Sequence, residues 1–415
     1  MMAKGWNWNS NDAVCSNRNS RRPVLDFAHE FFPLFVLIFM VCMTGFAQSA
    51  PRARALGVPF DGNPGPLDAI TDVKGVEVGD TTLIRGEGKL IVGHGPVRTG
   101  VTVIFPRGRA DAEPVYAGWF SQNGNGEMTG TTWVEESGFL EGPVAITNTH
   151  SVGLVRDSII AWSVQTGRLA LQPWSLPVVA ETWDGCLNDI NGFHVQQADV
   201  FSALNAAQGG PVPEGNVGGG TGMVCYGFKG GDGTASRVLS ADAGGYTVGV
   251  LVQCNCGRRP QLTIAGVPVG KLIPAAPRTA ALESEVSGDV GSIIIVVATD
   301  APLLPTQLKR LARRATMGLA RTGSSSGNSS GDIFIAFSTA NRGANKEPGP
   351  NSIQTVSNER ISPLFQATVE ATEEAIVNAM VAAQTMTGID GHTIEALPHD
   401  KLSEFMKRSP QATLK

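Results

Sequence analysis

The chain has 415 residues, of which 42% are apolar and only 17% are charged, so it contains enough apolar sequence for a large hydrophobic core. The formal net charge of -5, without a basic stripe, argues against a nucleic-acid-binding function. The 50 glycines lie among Val, Ile and Leu residues, so they indicate many turns and close backbone approaches rather than disorder.

The first 50 residues have the pattern of an export leader. Three arginines precede an apolar run at 31–47, and small residues follow this run. This order is typical of a signal peptide cleaved near residues 47–50, although the run is almost long enough for an uncleaved membrane anchor. We therefore expect a secreted or periplasmic protein whose mature part is not embedded in a membrane.

Short strands separated by tight turns are predicted for residues 65–105, where Val and Ile alternate with polar residues and Gly. Further strand-like segments follow at 126–153, 176–180, 246–252, 292–300 and 332–338.

Two amphipathic helices are predicted in the last third of the chain. The segment 305–321 carries apolar residues at spacings of three and four and is stopped by a glycine. The segment 362–387 opens with Ser362 and Pro363, as an N-cap and a first-turn proline, and is expected to end at Gly388. Because strands come first and helices come late, the sequence predicts an α/β fold in which helices pack on sheets.

Two of the six cysteines lie in the leader, and the mature chain keeps Cys186, Cys225, Cys254 and Cys256. Their spacing does not match a zinc site. An oxidising compartment would permit disulfides, but a chain of this length does not need them. Small buried thiols are therefore the favoured interpretation, and disulfides are left open.

Other common site motifs do not fit. The glycine-rich stretch 218–233 lacks a phosphate-binding motif, because Lys229 is followed by Gly rather than by Ser or Thr. The stretch 323–327 matches G-x-S-x-G, but a predicted helix precedes it and a strand follows, the reverse of a nucleophile elbow. The histidines are scattered and form no metal-binding motif. We therefore expect no metal and no organic cofactor.

Gly291 ends a polar, irregular stretch at 274–291, and Ser292 opens the apolar run 292–300. This placement favours a self-cleaving hydrolase, because glycine permits the strained backbone in which the serine hydroxyl attacks the preceding carbonyl. Cleavage would leave Ser292 as a new N-terminus, whose α-amine can act as the base for its own hydroxyl. An ordinary turn before a strand is the alternative.

Four further polar side chains are candidates for the same site. Asn255 follows an apolar strand and either offers its amide N–H to an oxyanion or simply forms a turn. Ser330 and Asp332 are two residues apart, so they share one face of a strand and could hold the Ser292 amine, or only begin an ordinary strand. Glu181 follows an apolar segment and suits a cationic substrate amine, with surface capping as the alternative.

Several longer blocks carry more information than any single motif. They are found at 123–133, 146–153, 181–185, 218–223, 263–270, 291–300, 327–333 and 337–341. Together they resemble the L-aminopeptidase/D-esterase and β-peptidyl aminopeptidase family of self-processing serine hydrolases. The resemblance extends over residues 56–400, which makes it specific.

The resemblance implies an αββα sandwich similar to that of the N-terminal-nucleophile hydrolases, with a different connectivity. It also implies cleavage between Gly291 and Ser292, after which an α chain (51–291) and a β chain (292–415) stay together in one domain. By position, Ser292 would be the nucleophile, with its own amine as the base, and Asn255 would stabilise the oxyanion. Members of the family assemble several αβ units, so a homo-oligomer is expected.

The resemblance assigns the other candidates as well. Ser330 and Asp332 would orient the amine and the nucleophile, and Glu181 would bind the free amino group of the substrate. Trp183 stands where some relatives have Tyr. The indole lacks the tyrosine hydroxyl, so it favours an apolar contact in the pocket.

The sequence therefore predicts a self-processing serine aminopeptidase that releases N-terminal residues from small peptides, amides or esters with a free amine. Peptides that begin with an L-amino acid (with D-amides or esters) and peptides that begin with a β-amino acid are both open, and Trp183 slightly favours the second. Two other classes are left. One is an acyltransferase with the ornithine acetyltransferase fold, against which a serine rather than a threonine nucleophile argues. The other is a non-catalytic secreted binding protein.

Overall fold

The computed structural model describes residues 51–168, 173–275, 291–345 and 350–409. The predicted leader, with its cleavage point, lies outside these residues, as does most of the polar stretch before Gly291. No helix in the described part of the chain is both long enough and apolar enough to cross a bilayer.

Strands and helices alternate along most of the chain. The strands are β1 (Glu77–Arg85), β2 (Val97–Phe105), β3 (Val115–Gly124), β4 (Phe139–Leu140), β5 (Val144–Asn148), β6 (Val178–Thr182), β7 (Val224–Cys225), β8 (Phe228–Lys229), β9 (Gly231–Val238), β10 (Thr247–Asn255), β11 (Ser292–Thr299), β12 (Gly331–Ser338), β13 (Met386–Thr387) and β14 (Thr393–Ile394). The α-helices are α1 (Thr131–Ser137), α2 (Val152–Gln165), α3 (Gln197–Ala206), α4 (Val269–Leu272), α5 (Pro305–Arg321), α6 (Ser362–Ala382) and α7 (His399–Arg408).

Two β-sheets form the centre of the fold. The first has the strand order β1-β2-β5-β6, and its only parallel pair is β5 with β6. The second has the order β4-β3-β12-β11-β10-β9, and its only parallel pair is β11 with β12. The hairpins β7–β8 and β13–β14 pair separately from both sheets.

Strand β11 lies in the middle of the six-stranded sheet, and both of its faces are covered. Its even-numbered apolar residues belong to a core shared with the four-stranded sheet, whereas its odd-numbered residues pack with α5 and α6. This alternation has the period of two that a strand imposes. Because both faces are buried, the strand is continuously apolar from Ile293 to Ala298.

The helices complete the layers. Helices α2 and α3 cover the free face of the four-stranded sheet, where Val101, Ile159 and Leu204 belong to one apolar cluster. Helices α5 and α6 cover the free face of the six-stranded sheet. The described residues thus form helix, sheet, sheet and helix layers, and the predicted mixed α/β class is confirmed.

Helices α1, α2 and α3 were not predicted, and α1 lies inside the segment 126–153 that was predicted to be strand-like, so the expectation that helices are concentrated late in the chain is wrong. Helix α2 lacks a clean apolar stripe, because Leu154 and Val164 are exposed while Ser158 and Ser163 are buried. Its sequence therefore shows no clear period of 3.6 residues.

The helix predicted for 362–387 ends earlier, at Ala382, and Met386 and Thr387 belong to strand β13 instead. The main-chain N–H and C=O of Gln384 both bond to the side chain of Asn216, at 3.1 and 2.8 Å, and these bonds replace helical ones. The helix is therefore ended by a tertiary contact and not by Gly388. The other predicted helix coincides with α5.

Candidate active site

Ser292 is the first residue of β11, between the ends of two neighbouring strands. Asn255, the last residue of β10, is its antiparallel partner on one side, and Gly331, the first residue of β12, is its parallel partner on the other. Ser292 keeps only 7% of its surface exposed. The sheet thus brings three positions that are far apart in sequence to one point.

The Gly331 N–H is a donor beside the Gly291–Ser292 peptide. It lies 3.2 Å from the carbonyl oxygen of Gly291 and 3.3 Å from Oγ of Ser292. One donor therefore serves both the hydroxyl and the carbonyl that this hydroxyl would attack. A side chain at position 331 would collide with the carbonyl of Asn125, so glycine is required there. Gly331 was not among the predicted site residues, because any residue type except proline provides a main-chain N–H.

The side chain of Asn255 has a fixed orientation. Its Oδ1 accepts a hydrogen bond of 2.7 Å from the Val224 N–H, and its Nδ2 donates one of 3.0 Å to the carbonyl of Trp183. The first partner is only a donor and the second only an acceptor, so the two ends of the amide cannot be exchanged. An amide NH₂ carries two hydrogens. Nδ2 can therefore donate to a substrate oxygen as well as to Trp183.

Ser330 and Asp332 contact each other, as their spacing predicted. The Ser330 hydroxyl donates a hydrogen bond of 2.6 Å to Oδ1 of Asp332, and both residues are buried. Asp332 is the register partner of Ile293, the residue after Ser292. Burial raises the pKa of the Asp332 carboxyl, and the bond from Ser330 partly offsets this rise.

Glu181 comes from the other sheet, at the end of β6, and only 3% of its surface is exposed. The Glu127 N–H donates a hydrogen bond of 3.0 Å to its Oε1, and the Thr149 hydroxyl donates to its Oε2. Burial raises the pKa of the Glu181 carboxyl, and these two bonds lower it in part. Sequence analysis found Glu181 but neither of its donors, which lie on separate elements.

Gly126 lies between Glu181 and the strand ends that surround Ser292. A Cβ placed on it would lie 3.1 Å from Cα of Gly331 and 3.2 Å from Oε1 of Glu181. The carboxylate of Glu181 is therefore close to the residue that pairs with Ser292. The ends of the two sheets converge here, so all four candidate side-chain positions that were predicted around Ser292 are brought to one region.

Trp183 is half-buried and contributes a main-chain group to this region. Its carbonyl accepts the bond from Asn255, and its indole packs on Gly185, where a Cβ would lie 2.6 Å from the ring. The glycine at 185 therefore makes room for the indole. The predicted apolar contact with a substrate is not tested by these distances.

The cysteines depart from the sequence-based expectation. Cys225 and Cys254 form a disulfide, so the favoured interpretation of buried thiols is wrong for these two residues. Cys256 is a buried free thiol, and Cys186 is a partly exposed one. The pairing was hidden because 29 residues separate the two cysteines, and only the fold brings the β7–β8 hairpin against the end of β10. The Sγ atoms of Cys225, Cys254 and Cys256 lie within 4.8 Å of one another.

Comparison with known proteins decides the family. Residues 68–394 match peptidase family S58. The chain is also 54% identical over 386 residues to the β-peptidyl aminopeptidase BapA of Sphingosinicella microcystinivorans, an alignment that covers 91% of this chain and 97% of the relative. The chain belongs to peptidase family S58.

Two solved structures resemble this S58 peptidase over most of its length. A β-aminopeptidase from a Burkholderia species is 48% identical with a TM-score of 0.77, covering 86% of this chain and 98% of that chain. The L-aminopeptidase D-Ala-esterase/amidase of Ochrobactrum anthropi is 49% identical with a TM-score of 0.78, at the same coverage. The second is described as a prototype for the serine aminopeptidases and as a new variant of the Ntn hydrolase fold.

These findings confirm the predicted family and the class of serine aminopeptidase with an N-terminal nucleophile. They favour this function over the acyltransferase and the binding protein that the sequence left open.

Proposed function

We propose that this S58 peptidase cleaves itself between Gly291 and Ser292 and then uses Ser292 to release N-terminal residues from peptides, amides or esters. The observation that carries the proposal is the shared donor at Gly331, 3.2 Å from the Gly291 carbonyl oxygen and 3.3 Å from the Ser292 hydroxyl. A hydrogen bond to the carbonyl polarises it and stabilises the negative charge that grows on its oxygen.

Self-cleavage proceeds by an acyl shift. Oγ of Ser292 attacks the carbonyl carbon of Gly291, and the peptide nitrogen leaves as the α-amine of Ser292. Water then hydrolyses the ester that joins Gly291 to the Ser292 side chain. The products are a carboxylate at Gly291 and a β chain (292–415) that remains with the α chain (51–291) in one domain.

The same hydroxyl then acts on substrates. The free α-amine of Ser292 accepts the proton from Oγ, which attacks the first carbonyl of the substrate. The Nδ2 hydrogen of Asn255 stabilises the oxyanion, since this amide is already oriented by Val224 and Trp183. The leaving amine takes the proton, and water releases the N-terminal residue from the acyl-enzyme. Ser330 and Asp332 hold the Ser292 amine in place.

Glu181 explains why the enzyme would act on N-terminal residues. A substrate ammonium placed against a buried carboxylate forms a charge-assisted hydrogen bond, and the two donors on Glu181 fix where this carboxylate lies. The carboxylate is also close to Gly331. A substrate bound by its amine would therefore present its first carbonyl to Ser292.

For the substrate class we favour peptides that begin with a β-amino acid, with L-amino-terminal peptides and D-esters as the second candidate. The support is the 54% identity to a β-peptidyl aminopeptidase, while the 49% identity to an L-aminopeptidase D-Ala-esterase supports the second candidate. The test compares kcat/KM for the p-nitroanilides of a β-amino acid and of L-alanine. A higher value for L-alanine would reverse the preference.

Trp183→Tyr is the matched variant for this specificity test. The phenol keeps an aromatic ring and adds a hydroxyl, so the ratio of β-amino to L-amino activity should fall if the indole lines the substrate pocket. An unchanged ratio would assign Trp183 only its main-chain role toward Asn255.

The proposal also includes the fold connectivity, the oligomeric state and the location of the protein. The four layers correspond to the αββα sandwich of N-terminal-nucleophile hydrolases with a changed connectivity, in line with the description of the Ochrobactrum relative. The assembly is a homo-oligomer of αβ units, and the leader directs the chain out of the cytoplasm. Analytical ultracentrifugation and N-terminal sequencing of the exported protein test the last two points.

The reaction itself is tested by trapping the acyl-enzyme. A slowly released ester substrate with a free amine should add its acyl mass to the β chain, on the peptide that begins with Ser292. Acylation of any other residue would contradict the proposed role of Ser292.

A further inference from the structure

The β7–β8 hairpin packs against the end of β10, the strand that carries Asn255. Three consecutive hairpin residues contact Asn255, which ends β10, and the residues directly before and after it. The Val224 N–H donates to Oδ1 of Asn255 at 2.7 Å, Cys225 is disulfide-bonded to Cys254, and the Tyr226 N–H donates to the carbonyl of Cys256 at 2.7 Å.

The disulfide stands beside the bond that orients Asn255. Cys225 follows Val224, the donor, and Cys254 precedes Asn255, the acceptor. The covalent link therefore limits how far donor and acceptor can move apart. If they separate, the amide of Asn255 loses one of the two partners that fix its orientation and keeps only the Trp183 carbonyl, so its Nδ2 is held less firmly for the oxyanion.

Non-covalent contacts hold the other parts of the hairpin. The buried ammonium of Lys229 donates bonds of 2.9 Å to the carbonyls of Met223 and Gly230. The guanidinium of Arg259 donates a bond of 3.0 Å to the carbonyl of Tyr226 and lies over the ring of Phe228. These bonds support the hairpin, but the disulfide is its covalent attachment to β10.

Cys256, the free thiol beside the disulfide, does not exchange with it. The Sγ of Cys256 lies 3.8 Å from that of Cys254. Burial, and next the nearby Asp332 carboxylate, raise the pKa of the Cys256 thiol. A protonated thiol is a poor nucleophile, so Cys256 does not displace Cys225 from the disulfide.

We propose that the Cys225–Cys254 disulfide positions Asn255 for oxyanion stabilisation, so that its reduction lowers kcat. The inference rests on the proposed function, in which Asn255 contacts the reacting oxygen. Reduction by dithiothreitol transfers two electrons and two protons to the disulfide, which leaves two thiols and a cyclic oxidised reductant. An oxidising compartment, as the leader implies, would keep the link closed.

The experiment uses the processed enzyme before and after reduction. The number of thiols is counted in denaturant, kcat and KM are measured on a p-nitroanilide with a free amine, and the melting temperature is recorded. We expect two additional thiols, a kcat lowered about 10-fold with little change in KM, and recovery on reoxidation. The expected loss is smaller than the 10²- to 10³-fold cost of removing an oxyanion donor outright.

Variants separate the disulfide from the other cysteines. Cys225→Ala should have the low kcat of the reduced enzyme and should not respond to dithiothreitol. Cys186→Ala, which removes a thiol outside the cluster, should behave as the parent enzyme does. An unchanged kcat after complete reduction, with the thiol count confirmed, would overturn the inference.

Asn255→Ala distinguishes this inference from the proposed function. If it lowers kcat and reduction has no further effect in that background, both hold, because the two changes act through one group. If Asn255→Ala lowers kcat while reduction of the parent enzyme does not, only the role of the disulfide fails. If Asn255→Ala leaves kcat unchanged, the oxyanion role fails and the inference fails with it.

Discussion

The site contains two buried carboxylates that are held in different ways. Asp332 accepts a hydrogen bond from Ser330, the residue directly before its strand, and lies in the sheet that contains Ser292. Glu181 lies at the end of the other sheet and is held by Glu127 and Thr149, which belong to different elements. The position of Asp332 suits a carboxylate that orients the Ser292 amine, whereas the position of Glu181 suits a carboxylate that binds the substrate amine.

The largest effect should come from Ser292→Ala, which removes the group that both carboxylates serve. We expect no cleavage at 291/292 and a kcat lowered by about 10⁴-fold or more, since no other hydroxyl replaces the nucleophile. Gel electrophoresis and activity assays measure both effects. Ser325→Ala, at an exposed serine of the loop before β12, is the matched control and should be processed normally. Cleavage at 291/292 in Ser292→Ala would rule out the mechanism.

Asp332→Asn should impair the Ser292 nucleophile without impairing the binding of the substrate amine. Loss of the charge that orients the Ser292 nucleophile should slow self-cleavage, and loss of its effect on the amine that cleavage releases should lower kcat roughly 10²-fold. The loss should be equal for substrates with a free amine and for N-blocked esters, because Asp332 does not contact the substrate amine. A loss confined to free-amine substrates would exchange the roles of Asp332 and Glu181.

Glu181→Gln should show the opposite pattern. It removes the charge-assisted bond to the substrate ammonium, so kcat/KM for free-amine substrates should fall roughly 10- to 100-fold. Self-cleavage involves no substrate amine and should proceed at the parent rate, and activity on an N-blocked ester should change little. Equal losses on both substrate types would contradict the assignment.

The pH dependence should report Glu181 on its acid side. The carboxyl must be ionised to bind an ammonium, and burial raises its pKa. The kcat/KM for free-amine substrates should therefore begin to fall at a higher pH than an exposed carboxyl would cause. Because Gln does not titrate, Glu181→Gln should remove the contribution of this carboxyl from the acid limb and leave only that of the Ser292 amine. An unchanged acid limb in the variant would assign it to another group.

The smallest expected effect is on stability. A carboxyl with a raised pKa in the folded state binds its proton more tightly there, so stability falls as the pH rises from the unfolded-state pKa to the folded-state pKa and stays lowered above it. Glu181→Gln should raise the melting temperature slightly at pH 8 and by less at pH 5. Scanning calorimetry at the two pH values measures the difference, and a lower melting temperature at pH 8 would contradict the sign.

The two carboxylates, Asp332 and Glu181, also differ in how well the sequence predicted their contacts. The contact between Ser330 and Asp332 was predictable, because a spacing of two on a strand puts both on one face. The role of Ser292 stays a prediction, which rests on the family resemblance and only weakly on the glycine-serine pair at the start of an apolar run. The donors of Glu181 were not, since Thr149 and Glu127 reach it only through the fold.

Backbone groups and long-range pairs were the least predictable features. The Gly331 N–H and the Val224 N–H both act through the main chain, so their residue types gave no signal. The Cys225–Cys254 disulfide depends on a hairpin that folds against β10. Helix α2 was missed because tertiary packing buries its serines and exposes two of its apolar residues.

The intact mass of the purified protein under denaturing conditions shows directly whether the chain has cleaved itself. We expect two species, of which the smaller begins with Ser292 and spans residues 292–415. A single species that still contains the Gly291–Ser292 peptide bond would contradict self-processing, and with it the use of Ser292 as an N-terminal nucleophile.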